Sequence, residues 1–331
     1  MQGIGDGCYA CGVVDSAMLC EPMVSERALP RVDVLLATYN GAAWLRPQLD
    51  SLLQQVGVDF HIYIRDDGSS DATPALLAEY ATRHPDSISL VHKEEADKSR
   101  GGTANFLKLL ARHSDAEYFA FSDQDDVWPV DRLQVAVAAL SALHGPRLYC
   151  GAVTYVDADL NVLGDSSHAV MPGFHNALVE NIAQGCTMVF DADLRRLVAE
   201  RIPTRAAIHD WWMYLVAVAF GRVVYDPTPR LLYRQHGTNE VGGNSSLLKM
   251  LRKNFRRYMT GNAWPMAAQA EHLLALYPDR LDIKQKDMLR AFVAGKTSVL
   301  ARLRLVLSPQ IRRQSLFETL AVKFLLLINA Y

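Results

Sequence analysis

No apolar run in the 331 residues reaches the roughly 18 that a membrane-spanning helix needs. The longest stretches are Trp211–Phe220 and Leu320–Tyr331. The first 30 residues lack a basic region followed by an apolar one, so no secretory leader is read there and a cytoplasmic protein is expected. A disulfide framework is missing too. The five cysteines, Cys8, Cys11, Cys20, Cys150 and Cys186, are odd in number and irregularly spaced. Cys8 and Cys11 form a CxxC with no second pair or nearby histidine, so a zinc site is not read from them. HExxH and GxSxG are absent, which argues against zinc peptidases and α/β-hydrolases. Gly295-Lys296-Thr297 has the end of a phosphate loop, but Arg290 stands where its first glycine is required.

Net charge is nearly absent as well, at −2, with 50% hydrophobic and 21% charged residues, a globular composition. The balance is uneven along the chain. Residues 245–331 hold 15 Lys and Arg against 5 Asp and Glu, which leaves residues 1–244 at about −12. A basic, apolar C-terminal segment points to an anionic surface as partner. Within it, Leu247–Arg257 alternates basic and apolar faces, as a helix lying in a lipid interface does.

From Arg31 the chain becomes regular. Val32–Ala37, Phe60–Ile64, Ile88–Val91 and Glu117–Phe121 read as strands. Trp44–Gln55, a segment capped by Ser70 or Asp71 and running to about His84, Thr103–Arg112 and Pro129–Leu143 read as helices. Such alternation predicts a parallel sheet covered by helices on both faces, with ligands beyond the carboxyl ends of the strands. Further on, Leu148–Val156, Thr187–Phe190, Arg222–Tyr225 and Arg230–Arg234 read as strands. Asp191–Glu200, His209–Phe220 and the chain after Ser246 read as helical. The divisions expected are a weakly patterned, disordered extension (1–30), a nucleotide-binding half (31–150), an acceptor and catalytic half (151–244) and a basic helical segment (245–331).

Four motifs carry chemistry. FSDQDDVW ends the fourth strand in Asp123, Asp125 and Asp126. Unit charges about 4 Å apart repel by roughly 4 kcal/mol near a protein surface, so solvent, an arginine or a divalent cation must offset them. Hard carboxylate oxygens suit Mg²⁺ or Mn²⁺ shared with substrate phosphates. IRDDGSSD supplies a tight turn and leaves Asp66 and Asp67 in tandem, one of which can accept from a nucleobase edge. HDWW sets Asp210 beside an apolar helix, where a carboxylate acquires a raised pKa and serves as general base. Trp211 and Trp212, adjacent on that helix, are expected not to share the core, leaving one to face a sugar ring. YRQHG offers His236 as a metal partner and Arg234 to neutralise phosphate.

The ordered series VLLATYNG, IRDDGSSD, FSDQDDVW, HDWW and YRQHGTN resembles the family 2 glycosyltransferases of bacteria. It looks most like the rhamnosyltransferase branch that builds cell-surface polysaccharides. The likeness spans about residues 31–240. It implies a GT-A fold, an α/β, Rossmann-like, mostly parallel sheet sandwiched by helices, here followed by the C-terminal helical segment. It also implies inversion at the anomeric carbon. By the same likeness, Ala37, Tyr39 and Asp67 lie where the family holds the nucleoside, with Arg100 in a loop that touches the nucleotide. Asp123 falls at the ribose or diphosphate, Asp125 and His236 at the metal, and Asp210 at the catalytic base. Trp211, Trp212, Asp126 and Arg234 are expected around the sugar and acceptor. The expected partners are a dTDP- or UDP-sugar donor, a lipid-linked or polysaccharide acceptor of the O-antigen or capsule type, and the cytoplasmic face of the inner membrane, with no nucleic acid. Two other readings compete. A nucleotidyltransferase would need a Gly-rich loop bearing Lys or Arg where this chain has TYNGAAW. A non-catalytic glycan-assembly protein would show broken motifs, and these are intact.

Overall fold

A computed structural model describes residues 28–92, 101–202, 208–236 and 266–331. The Cys8–Cys11 pair, Arg100 and the Leu247–Arg257 stretch lie outside the described residues.

The strand β1 (Arg31–Thr38) is buried along nearly its whole length, as a central parallel strand must be. It pairs in parallel with β2 (Asp59–Asp66) on one side and β4 (Tyr118–Ser122) on the other, and β3 (Ile88–Leu90) extends the sheet beyond β2. The second half adds β8 (Val189–Asp191), antiparallel to both β4 and β5 (Arg147–Gly151), and β9 (Arg222–Asp226), parallel to β5. The strand order is β3-β2-β1-β4-β8-β5-β9. The expected mostly parallel sheet is present, with β8 as its antiparallel member.

Alternation along the strands divides the core in two. Val32, Val34 and Leu36 pack with the helices α1 (Leu45–Leu53), α2 (Thr73–Arg83) and α4 (Arg132–Ser141). Leu35, Phe119 and Phe121 pack with α3 (Gly102–Ala111), α6 (Ala192–Ala199) and α7 (His209–Phe220). The period of two assigns alternate residues to opposite faces. The second of these cores continues into α8 (Met266–Leu276), α9 (Ile283–Gly295), α10 (Val299–Leu307) and α11 (Leu316–Leu327). Tyr277 donates to the Leu197 carbonyl at 2.9 Å, and Gln285 to that of Ala219 at 2.9 Å. Among the described residues no helix is long and apolar enough to cross a membrane.

That arrangement corrects one expectation. Covered by the sheet on one side and by the C-terminal helices on the other, α7 buries its whole circumference. Trp211 and Trp212 are 1% and 0% exposed, so neither lines a sugar pocket. The single strand expected over Leu148–Val156 is instead two. Gly151, where a Cβ would meet the Asp226 carbonyl oxygen at 2.8 Å, ends β5. The chain then enters a small second sheet, in which β6 (Thr154–Val156) lies between β10 (Leu232–Arg234) and β7 (Val162–Asp165). β7 and the short α5 (Phe174–Ala177) carry no apolar periodicity of their own and were not anticipated. At the start of α2 the cap position is Ala72, with Asp71 accepting instead from the Thr73 N–H at 3.0 Å.

Asp191 joins the sheet to α6. Its carboxylate accepts from the Leu194 N–H at 2.9 Å, from the Arg147 N–H at 3.0 Å and from Arg147 Nε at 2.7 Å. Asp191→Ala removes a helix cap and strands a largely buried guanidinium. It should lower the unfolding free energy by about 3 kcal/mol in urea denaturation.

Candidate active site

The carboxyl ends of β1, β2 and β4 meet in one crevice. Thr38 stands opposite Asp66 and Leu36 opposite Ser122 in the sheet register. The Asp66 carboxylate is fully engaged in building the loop. It accepts from Thr38 Oγ1 at 2.9 Å, from the Gly68 and Ser69 N–H groups at 3.0 and 2.8 Å, and from Ser69 Oγ at 2.5 Å. Of the two tandem aspartates, Asp66 is therefore the turn's own residue. Asp67 is half-buried and accepts from the Gly101 N–H at 2.7 Å, which ties the head of α3 to the crevice. Asn40, at a positive φ of 48°, links the same loops through Ser69 Oγ and the Ser70 N–H.

Gln124 had no assigned role in the sequence, and it joins β1 to the acidic loop. Its side-chain amide accepts from the Tyr39 N–H at 2.8 Å and donates to the Tyr39 carbonyl at 3.0 Å. Gly41 makes that approach possible, since a Cβ there would fall 2.1 Å from Gln124 Oε1. Tyr39 itself is exposed beside the crevice, and Ala37 is half-buried at the end of β1.

The acidic loop is closed by a distant part of the chain. Val127 and Leu232 exchange two backbone hydrogen bonds, of 3.1 and 3.0 Å. This bridge lays the YRQH segment along DQDD. His236 Nε2 then sits 2.7 Å from Asp125 Oδ2, and its ring stacks on Trp44 at 5.2 Å. Trp44 was missed in the sequence because it reads as a helix-start apolar residue. Asp126 and Arg234 do not line an acceptor pocket, being 1% and 2% exposed. Arg234 donates from Nε to the Asp125 carbonyl at 2.9 Å and from Nη1 to the Ala158 carbonyl, its guanidinium lies 4.9 Å from the Trp44 ring, and its backbone N–H reaches Asp126 Oδ1 at 3.4 Å. It braces the acidic loop from within.

Burial, followed by the charges of Asp123 and Asp125, holds the Asp126 carboxyl well above the usual carboxylate range. Asp123, Asp126 and Cys186 can bring one ligand atom each within 4.8 Å of one another. Burial also holds the Cys186 thiol well above its ordinary pKa, and a protonated soft sulfur is a poor partner for a hard cation. Asp125 and His236 instead offer a carboxylate oxygen and an imidazole nitrogen 2.7 Å apart, a pair that could hold Mg²⁺ or Mn²⁺.

Asp210 approaches from the other side, in the first turn of α7. It accepts from the Gly185 N–H at 3.2 Å and the Trp211 N–H at 2.6 Å, and the Asn181 side chain also contacts it. Burial still outweighs these donors and raises its pKa to about 6. The neighbouring His209 is buried, stacked on Phe106 at 4.2 Å, and held neutral with a pKa pushed down to about 3. Gly185 and Cys186 are consecutive. One holds Asp210 and the other lies in the acidic cluster, so a single turn fixes Asp210 relative to the carboxylates. Neither residue carried a signal in the sequence.

Residues 33–219 match the sequence profile of glycosyl transferase family 2. A dTDP-rhamnosyl transferase, RfbG, of Shigella flexneri is 30% identical over 221 residues, covering 64% of this chain and 75% of that protein. An uncharacterised glycosyltransferase of Rickettsia typhi is 22% identical over 222 residues, covering 62% and 64%. In architecture the chain is similar to the crystal structure of S. aureus TarS 1–349 in complex with UDP-GlcNAc. That likeness has a TM-score of 0.53 at 16% identity, over 90% of this chain and 81% of the other, and it bears on the fold alone.

Gly41→Ala should push the Gln124 amide off Tyr39. The expected cost is about 1–3 kcal/mol of stability, measured by chemical denaturation, as for other overpacked sites.

Proposed function

The chain belongs to glycosyl transferase family 2, and from that premise we propose that it is an inverting enzyme moving L-rhamnose from dTDP-rhamnose to a lipid-linked or polysaccharide acceptor of a bacterial cell-surface glycan. Transfer takes place at the cytoplasmic face of the inner membrane. That the chain is a glycosyltransferase follows from the family. The choice of rhamnose is supported by the Shigella relative. The single observation that carries the mechanism is the Gly185–Cys186 turn, which sets a carboxylate of raised pKa beside the acidic loop.

In this reading Ala37, Tyr39 and Asp67 hold the nucleoside, and Asp123 meets the ribose or diphosphate. Asp125 and His236 hold Mg²⁺ or Mn²⁺, which when bound supplies positive charge against the leaving diphosphate. Asp210 takes the proton of the acceptor hydroxyl. That oxygen bonds to the sugar C1 from the face opposite the nucleotide, and the C1–oxygen bond to the diphosphate breaks with its electron pair leaving on dTDP. A β-linked donor therefore gives an α-L-rhamnoside. The pKa of about 6 leaves Asp210 ionised near neutrality while keeping it basic enough to accept the proton.

The test is donor hydrolysis. The protein is offered dTDP-, UDP- and GDP-sugars with Mn²⁺ or Mg²⁺, and release of nucleoside diphosphate is followed. Release from dTDP-rhamnose, abolished in Asp125→Ala, is expected. Release from a UDP-hexose alone would keep the mechanism and overturn the donor. With acceptor present, Asp210→Asn should lower kcat by roughly 10²–10⁴-fold.

The rate of the wild type should rise about tenfold per pH unit and level off above about pH 6, where Asp210 is ionised. The same burial makes the ionised form costly to the fold. With its folded pKa above the unfolded one, Asp210 contributes stability at low pH that is lost as pH rises through about 6. Asp210→Asn should therefore gain thermal stability over the wild type above pH 6.

A further inference from the structure

Large apolar side chains exposed among the described residues are concentrated on two helices. On α10 they are Val299, Leu300, Leu303 and Leu307, and on α11 they are Leu316, Phe317, Leu320, Phe324 and Leu327. These nine are half of the eighteen such side chains, within 29 residues of sequence. Their spacing of three and four puts them in one stripe along each helix. Leu307 and Leu316 are 78% and 76% exposed. The opposite faces, with Leu305, Val322 and Leu326, are buried in the core, so both helices are firmly seated and the stripes are not loose ends.

The charge around the stripes has one sign. From Lys296 to the end of the sequence there are six Lys and Arg and a single acid, Glu318. Arg304 and Arg312 are exposed. A cavity of about 390 Å³ opens where α10 meets α9 and α5, lined by Lys284, Arg304, His175 and Asp287 together with Met288 and Leu305.

We propose that the α10–α11 face is a membrane-docking surface that lies in the headgroup and upper acyl region of an anionic bilayer. Apolar stripes with cations and few acids have the chemistry of interfacial helices. A second copy of the chain fits less well, because it would set the exposed Arg304 and Arg312 against another pair of cations. The face is also mechanically joined to the catalytic side. In the turn between α10 and α11, Gln314 N–H donates to Glu180 Oε2 at 2.9 Å and Arg313 Nε to the Val179 carbonyl at 3.0 Å. The next residue, Asn181, contacts Asp210. Residues 179–181 thus connect the turn between these helices to Asp210. The lipid binding stands on the exposed face alone. Only its purpose rests on the acceptor proposed above.

The test is flotation of the full chain with phosphatidylcholine vesicles, with and without phosphatidylglycerol, at low and high salt. Donor hydrolysis is measured on the same protein without vesicles. The wild type should float with the anionic vesicles and less so at high salt. Leu303→Glu/Leu307→Glu and Leu320→Glu/Phe324→Glu should each lower the bound fraction about tenfold or more, with donor hydrolysis and unfolding temperature unchanged. Arg304→Glu/Arg312→Glu should remove the preference for anionic lipid. The proposal is overturned if the wild type floats with neither vesicle, or if the helix variants float like the wild type. It is also overturned if ultracentrifugation shows a dimer that these variants dissociate while flotation is absent. Loss of flotation on reversing Lys249, Arg252 and Lys253 alone, with the α10–α11 variants floating normally, would place the contact elsewhere. Donor hydrolysis that fails while flotation succeeds would count against the transferase reading and leave the docking surface standing.

Discussion

Three carboxylates within four residues cannot all sit ionised at the end of a buried strand, and much of the site is arranged around that fact. Asp126 is withdrawn from water and held toward its neutral form, which removes one charge from the group. Two arginines stand behind the loop. Arg234 holds its backbone, and Arg132 donates to the Cys186 carbonyl at 2.6 Å while lying over the Trp128 ring at 3.7 Å. Burial lowers the Arg132 pKa to about 10, which still leaves it charged at neutral pH. Asp125 is offered to His236, and Asp123 stays half-exposed at the crevice. The repulsion is thus partly settled by the protein itself. The cation and diphosphate of the proposed reaction need to offset only what remains.

That division of labour makes the neighbouring loops rigid. Asp66 spends its carboxylate on four donors, Gln124 pairs with the Tyr39 backbone as a strand would, and the Val127–Leu232 bridge closes the acidic loop from above. Groups fixed in this way need little reorganisation when charge develops on a substrate. Asp210 gains its basicity by the opposite means. It is desolvated at the head of a helix that is apolar on every side, with only a few donors to restrain it. One site thus holds two carboxylates, Asp210 and Asp126, raised by burial for different ends. In the proposed reaction the first accepts a proton, and the second is kept from adding charge.

The C-terminal helices complete this environment. By covering α7 they convert what would be a half-exposed helix into one buried over most of its length. Their inward faces are part of the same core as the sheet. Their outward faces are left apolar and basic, which is the opposite of what a solvated surface requires.

Much of the fold was legible in the sequence because strand and helix periodicity are local. VDVLLA, the helix spacing of Leu45, Leu49 and Leu52, and the runs ending in TYNG, DDGS and DQDD each announce themselves within ten residues. The sequence by itself determined the alternating elements, the crevice at the strand ends, the acidic identity of the site and Asp210 as a carboxylate beside an apolar helix. What it could not determine depends on contacts between distant segments. Only the tertiary structure decided that Asp66 is consumed by its turn, and that Trp211, Trp212, Asp126 and Arg234 are interior. It alone decided that Gly185 and Cys186 couple Asp210 to the acidic loop, and that β6 leaves the main sheet. The reason is that burial and hydrogen-bond saturation belong to pairs of segments often more than a hundred residues apart. A residue's own neighbours in sequence carry no record of them.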